Sequence, residues 1–190
     1  MMKIIDPKYW GPYTWYVMHT MAYTYESDKK VNYERILNSL KELIPCFHCR
    51  EFYKQWISKN PYELNNKDSF INWTIALHNA VNQKIGKRNY NRLEVDAIYL
   101  EQIKPINSKL CNFNYYQFLS LYLRNYLVRD GAYLPNFKPL IMNIIIIYPL
   151  IDRRKYLYNF LVFDNINFWD PRKYKLTSDI TKKIIDKFIL

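Results

Sequence analysis

Apolar and aromatic side chains recur at helical spacing along most of the chain. Between residues 12 and 26 the pattern falls on Trp15, Met18, His19, Ala22 and Tyr23, the i, i+3, i+4, i+7, i+8 rhythm of one helix face. A second helix is expected from Val31 to Leu43, with Ile36, Leu37, Leu40 and Leu43 inward. Pro45 ends it and opens a third, CFHCREFYKQWI, because proline is tolerated in a first helical turn. Asn60 and Pro61 break that helix. The fourth has the plainest pattern: Asp68 or Ser69 caps it, Phe70, Ile71, Trp73, Ile75, Leu77, His78, Val81 and Ile85 run through it, and Gly86 stops it. A short fifth helix is expected from Leu93 to Ile103. Short connections between amphipathic helices predict an all-α fold, an antiparallel bundle of four or five helices.

After Pro105 the pattern changes. NYYQFLSLYLRNYLV, residues 114–128, is an aromatic-rich helix candidate. PLIMNIIIIYPLI, residues 139–151, is apolar but far shorter than the ~20 residues a bilayer span needs, so it predicts a buried helix or strand and no transmembrane span. DRRKYLYNFLVF and SDITKKIIDKFIL are further helix candidates. No internal repeat is visible. The expected organisation is a unit at 1–104 and an appended, mainly helical C-terminal unit at 105–190 whose fold and function the pattern leaves open.

Composition narrows the chemistry. Hydrophobic residues make up 49% of the 190, enough for a folded core. The glycines are Gly11, Gly86 and Gly131, too scattered for a dinucleotide-binding GxGxxG turn or a phosphate-cradling P-loop. A nucleotide cofactor must therefore be held by another construction. Three cysteines, Cys46, Cys49 and Cys111, do not make a disulfide-stapled secreted framework. MMKIIDPKYWGP has neither an apolar h-region nor a cleavage site, so no secretory signal is read and a cytoplasmic location is expected.

The net charge is +11, of which residues 1–104 carry +4 and the remainder +7. Such an excess admits a nucleic-acid or membrane-surface partner for the C-terminal unit. No basic run exceeds three residues, however, and abundant Asn, Ile, Lys and Tyr point to AT-rich coding as a source of the lysines. No nucleic acid is expected to bind the N-terminal unit.

Three clusters carry candidate chemistry. Cys46 and Cys49 stand three apart at a helix start, where unpaired N–H groups favour a thiolate and where His48 and Arg50 add positive charge. The spacing suits a redox pair, half of a zinc site completed by His19, His48 or His78, or two core thiols. In WTIALHNAVNQKIGK, residues 73–87, His78 and Asn82 share a face and Asn79 lies beside them. Two carboxamides and an imidazole in an apolar helix need partners, and they suit something planar and rich in heteroatoms. In YWGPYTWYVMHT, Trp10 and Trp15 flank an expected turn, and Trp15 and His19 are i, i+4. Such aromatics form core or wall a slot for a flat ring.

WGPYTWYVMHT, then PCFHC, then WTIALHNAVNQKIGK resemble, in order and spacing, the Erv/ALR sulfhydryl oxidases, which are FAD-dependent. The resemblance covers residues 9–104. It implies a helical bundle cupping FAD without a Rossmann motif. It implies that Cys46 and Cys49 form the active-site disulfide, with Cys49 against the isoalloxazine and Cys46 exchanging with substrate. Trp10, Gly11, Trp15, His19, His78, Asn79, Val81, Asn82 and Lys87 would line the FAD site, with Lys84 and Tyr23 as further candidates, and no metal is implied. The implied reaction forms disulfides in thiol-containing proteins and passes electrons to dioxygen, giving hydrogen peroxide, in a homodimer. The chain departs from the family pattern at Pro12, where many members carry a basic residue. It also lacks the second structural disulfide and an N-terminal shuttle pair. Those absences look like the compact versions of large cytoplasmic DNA viruses, which places the expected location in a host cytoplasm or virion. The alternatives are a zinc-stabilised interaction module built on the CxxC and a basic nucleic-acid or membrane-surface binder. Cys111 is expected to be a buried, inert thiol, with a relay or an intermolecular bridge as its other possible roles.

Overall fold

The structure, a computed structural model, describes residues 6–103, 108–130, 137–163, 182–183 and 185–188. Among these are eight α-helices and no strand: α1 (Pro7–Tyr23), α2 (Lys30–Leu43), α3 (Phe47–Lys59), α4 (Lys67–Lys84), α5 (Arg92–Ile103), α6 (Ser108–Asp130), α7 (Phe137–Ile147) and α8 (Ile151–Phe163). The expected helix at SDITKKIIDKFIL lies largely outside the described residues.

Local chemistry accounts for the boundaries. α1 starts five residues earlier than its apolar rhythm, because Asp6 accepts the Lys8 N–H at 2.9 Å and Pro7 occupies the first helical position. WGPYTW is therefore helical and not a turn, and Pro12 sits inside α1, where it removes the hydrogen bond that the Lys8 carbonyl would otherwise accept. α4 is capped by Asn66, which accepts the Ser69 N–H at 2.8 Å, in place of the expected Asp68 or Ser69. Gly86 follows α4 at φ 68°, the left-handed conformation that a residue without Cβ adopts freely. The stretch at 139–151 is helical through Ile147 as part of α7, breaks at 148–150 and reaches the first residue of α8. Its buried Asn143 donates to the Pro139 carbonyl at 2.6 Å and accepts from Asn32 of α2 at 2.8 Å, so the polar break in the apolar run is satisfied.

Helix α1 runs through the centre. It packs against α4 and α5 on one side and against α6 on the other. α2 lies between α3 and α7, and α8 rests on α7. One continuous core results, joining Val17, Met21, Tyr33, Leu37 and Phe70 to Tyr115, Phe118, Ile141 and Ile144. The helices after residue 105 thus cover faces of α1 and α2 that would otherwise meet water.

α8 is tied back to the α1–α2 connection. Arg154 donates to the Tyr148 carbonyl at 2.9 Å and to Glu26 at 2.6 Å. Hydrogen bonding from Arg154, then from Lys29, holds the Glu26 carboxyl below its ordinary range. A depressed folded-state pKa adds stability that is present above the unfolded value near 4.5 and is lost as pH falls through the lower folded value. Glu26→Gln is expected to flatten the acid limb of a stability-versus-pH curve below about pH 4.5. Urea melts from pH 7 to pH 3 check this, and an unchanged acid limb contradicts it.

Candidate functional site

Cys46 is the N-cap of α3, and its sulfur accepts the Cys49 N–H at 3.3 Å. Both are free, half-buried thiols. Cys49 stands in the wall of a cavity of about 500 Å³, which lies within the range of small-molecule sites. α1 contributes Trp10, Gly11 and Trp15 to that cavity, α3 contributes Phe52 and Tyr53, and α4 contributes His78, Val81 and Asn82. Lys87 closes it on one side and Lys8 lies in the wall one helical turn before Pro12. A second cavity of about 560 Å³ shares His78, Asn82 and Lys87 with the first and adds His19, Asn79, Arg88, Tyr90 and Tyr99.

The partition between the two cavities is a stack of rings. Trp15 lies flat on His78, with centroids 3.8 Å apart and planes 8° apart. His78 Nδ1 and His19 Nε2 are 3.0 Å apart, and His19 stacks on Tyr99 at 4.5 Å. A neutral imidazole has one donor and one acceptor nitrogen. The pair therefore uses one nitrogen of each ring and leaves His19 Nδ1, which is buried and has no hydrogen-bond partner among the described residues. Asn82 Nδ2 is likewise buried without one. Leaving a buried donor unmade costs about 1–3 kcal/mol, so these atoms mark where a polar ligand fits.

The remaining candidates are distributed around this pair of cavities. Asn79 exchanges two hydrogen bonds with the Tyr90 backbone, at 2.8 and 3.0 Å, and so pins the α4–α5 loop. Tyr23 lines neither cavity; its hydroxyl donates to Asp96 and its ring stacks on Tyr99. Lys84 also lines neither, and lies over the Phe52 ring at 4.5 Å. Phe52, Tyr53, Arg88 and Tyr99 are among the contributors that the motif pattern does not name. Phe52 and Tyr53 follow Cys49 by three and four positions, the spacing that puts them on its face of the helix.

Burial governs the electrostatics. The Cys49 thiol is pushed up to about 12, first by burial and then by the adjoining Cys46. This corrects the expectation of a thiolate favoured by the helix start: Cys49 is too desolvated, and Lys84 opposes the shift only in part. His48 is exposed against Phe47, while the buried Arg50 donates to the carbonyls of Ile44 at 2.7 Å and Pro45 at 3.4 Å. Arg50 therefore fixes the chain that enters the CxxC. Among the described residues no three His, Cys, Asp or Glu side chains gather as a metal set, so the zinc alternative finds no third ligand beside Cys46 and Cys49 there. Cys111 is buried and donates to Tyr148 at 3.9 Å. It stands about 21 Å along α6 from Asn125, whose side chain reaches Pro45, so direct exchange with Cys46 is out of reach. No described helix is long and apolar enough to cross a membrane.

His19 is lowered to about 3 by burial and the neighbouring His78, and His78 to about 4 by burial and Lys87. Both imidazoles are neutral at pH 7. Unfolding frees them to bind protons, so their contribution to stability is present above about pH 6.5 and is lost as pH falls toward the folded values. In an NMR titration the His19 and His78 ring signals are expected to stay at their neutral positions from pH 8 to about pH 5. A midpoint above pH 6 at either ring contradicts the buried pair.

Comparison with known proteins places this arrangement. The model of the Erv1 / Alr family matches residues 12–100. A FAD-linked sulfhydryl oxidase of African swine fever virus is 36% identical over 100 residues, covering 50% of this chain and 83% of that protein. A probable FAD-linked sulfhydryl oxidase of Acanthamoeba polyphaga mimivirus is 32% identical over 91 residues, covering 44% of this chain and 64% of the relative. A FAD-linked sulfhydryl oxidase of Arabidopsis thaliana is 29% identical over 91 residues, covering 46% and 48%. No solved structure matches. With the CxxC, the tryptophan helix and the His-Asn helix meeting around shared cavities, the chain belongs to the Erv1/Alr family.

Proposed function

We propose that the protein is an FAD-linked thiol oxidase acting on thiol-containing proteins. The observation that carries this is the position of Cys49, the inner member of a two-cysteine pair, in the wall of a cavity edged by indole, imidazole and an unpartnered carboxamide. The donor set fits FAD. Trp10, Trp15 and Val81 supply flat and apolar walls, His78 and Asn82 supply the polar edge, and Lys8 and Lys87 supply cations for phosphates, while Arg88 in the second cavity is paired with Glu94 at 2.6 Å. Two cavities joined at His78, Asn82 and Lys87 suit an extended dinucleotide better than a compact ligand. FAD bound there would take up the electron pair released by the cysteines and deliver it to dioxygen, giving hydrogen peroxide.

The chain's own part is thiol exchange and placement. In the oxidised pair, a substrate thiolate attacks Cys46 Sγ, the bond to Cys49 breaks, and Cys49 Sγ leaves with the electron pair. A second substrate thiol then displaces Cys46 and completes the substrate disulfide. Burial makes a resting Cys49 thiolate costly, so Cys49 in the reduced pair keeps its proton until its electrons have somewhere to go. Lys84 moderates that cost, because its charge pulls in the opposite direction.

We assign the oxidase to residues 1–104 and treat 105–190 as an appended unit, acting in a host cytoplasm or virion. Two copies pair, as the family resemblance suggests. The contact uses surfaces other than the α1 and α2 faces that α6 and α7 cover. Light scattering is expected to give twice the 23.3 kDa chain mass, and a monomer at micromolar concentration contradicts the pairing.

Purified protein is expected to be yellow and to consume oxygen with a small dithiol. Cys49→Ser is expected to keep the flavin and lose turnover by more than about 100-fold, since no electron pair can leave toward the cavity. Colourless protein carrying stoichiometric zinc overturns the proposal.

A further inference from the structure

Helix α6 lies outside the segment that the family model matches, yet two of its buried polar side chains touch the site. Tyr122 and Asn125 are three residues apart and share a helix face. The Tyr122 hydroxyl is 3.0 Å from Thr14 Oγ1. Thr14 spends its single hydroxyl proton on the Trp10 carbonyl at 3.0 Å, so Tyr122 donates and Thr14 accepts. The Tyr122 ring also meets Trp10 edge-on, with centroids 6.1 Å apart and planes at 86°. One turn on, Asn125 Nδ2 donates to the Pro45 carbonyl at 3.3 Å.

That carbonyl belongs to the peptide that leads into Cys46. Its orientation sets the backbone of the N-cap residue, and hence where Cys46 Sγ lies relative to Cys49. Arg50 Nη1 holds the Ile44 carbonyl at 2.7 Å and reaches the Pro45 oxygen at 3.4 Å, so Asn125 shares that oxygen with Arg50 and is the one anchor of this peptide supplied from α6. Two thiols close into a disulfide in proportion to how well their backbone keeps them together. Tyr122 acts on the other half of the site, through the two α1 residues, Trp10 and Thr14, that wall the first cavity.

We propose that α6 is a positioning element of the thiol–flavin site, with Asn125 setting the backbone before Cys46 and Tyr122 setting the Trp10 wall. The inference rests on the oxidase reading for its catalytic consequence. The Asn125 half is tested on the cysteines themselves. Full-length protein is equilibrated without oxygen in glutathione buffers, and the Cys46–Cys49 pair is counted by thiol alkylation. Closing the pair converts two thiols and one oxidised glutathione into one disulfide and two reduced glutathiones, so the equilibrium can be read whether or not the protein turns over. Asn125→Leu keeps the branched heavy-atom shape and removes the donor. It is expected to lower the closing constant by roughly 3- to 10-fold, the worth of one hydrogen bond. It is also expected to lower kcat on a dithiol by a similar factor, with KM and flavin content unchanged. Tyr122→Phe is expected to do the reverse, leaving the closing constant alone and weakening flavin retention about threefold. Asn125→Ala, which removes the donor without adding bulk or charge, replaces the leucine variant if that one misfolds. A folded Asn125 variant whose closing constant stays within twofold of the parent, with only its melting temperature lowered, overturns the proposal. Wild-type protein without flavin or turnover would sink the oxidase reading separately and leave the glutathione measurement valid.

Discussion

The contact between His19 and His78 organises the site. It joins α1 to α4 at the point where the two cavities meet, and it needs at least one ring uncharged to accept the shared proton. Trp15 on one side and Tyr99 on the other hold the rings in place, so three helices register through a single stack. A proton on either imidazole would set a positive charge in a desolvated position, which burial disfavours. The low basicity of the pair thus follows from where the rings are packed.

The same dryness acts on sulfur in the opposite sense. Water exclusion makes Cys49 a poor acid and the histidines poor bases, so the site has little tendency to hold charge before a cofactor arrives. The cations gather at the edge instead, at Lys8, Lys87 and Arg88. A neutral interior beside a cationic rim is the pattern expected for a ligand with an uncharged flat ring and a phosphate linkage.

Much of this was legible in the chain, for identifiable reasons. Helix periodicity placed α2 to within a residue, and α3, α4 and α5 nearly as well, because their apolar stripes and end signals agree. It misplaced the start of α1, since Trp10 and Gly11 sit on a helix whose cap, Asp6, lies before the apolar rhythm begins. Motif spacing grouped Trp10, Trp15, His78 and Asn82, which the fold brings to one cavity. It could not separate Asn82, whose amide is left open, from Asn79, whose amide is consumed by Tyr90, because the difference depends on a loop that returns over α4. The contributions of Tyr122 and Asn125 were invisible for the same kind of reason: nothing local in an aromatic-rich helix says that its polar groups end on Thr14 and Pro45.

That returning loop has a kinetic consequence. Between Gly86 and Tyr90 the chain is fastened at both ends, by the left-handed glycine and by the double bond to Asn79. Lys87 and Arg88 are carried on this short bridge. Its conformational entropy is surrendered when the polypeptide folds, not when an anion docks. If the proposed cofactor's pyrophosphate docks there, it would meet a preorganised receptor, with association governed by diffusion and desolvation and no segment left to freeze.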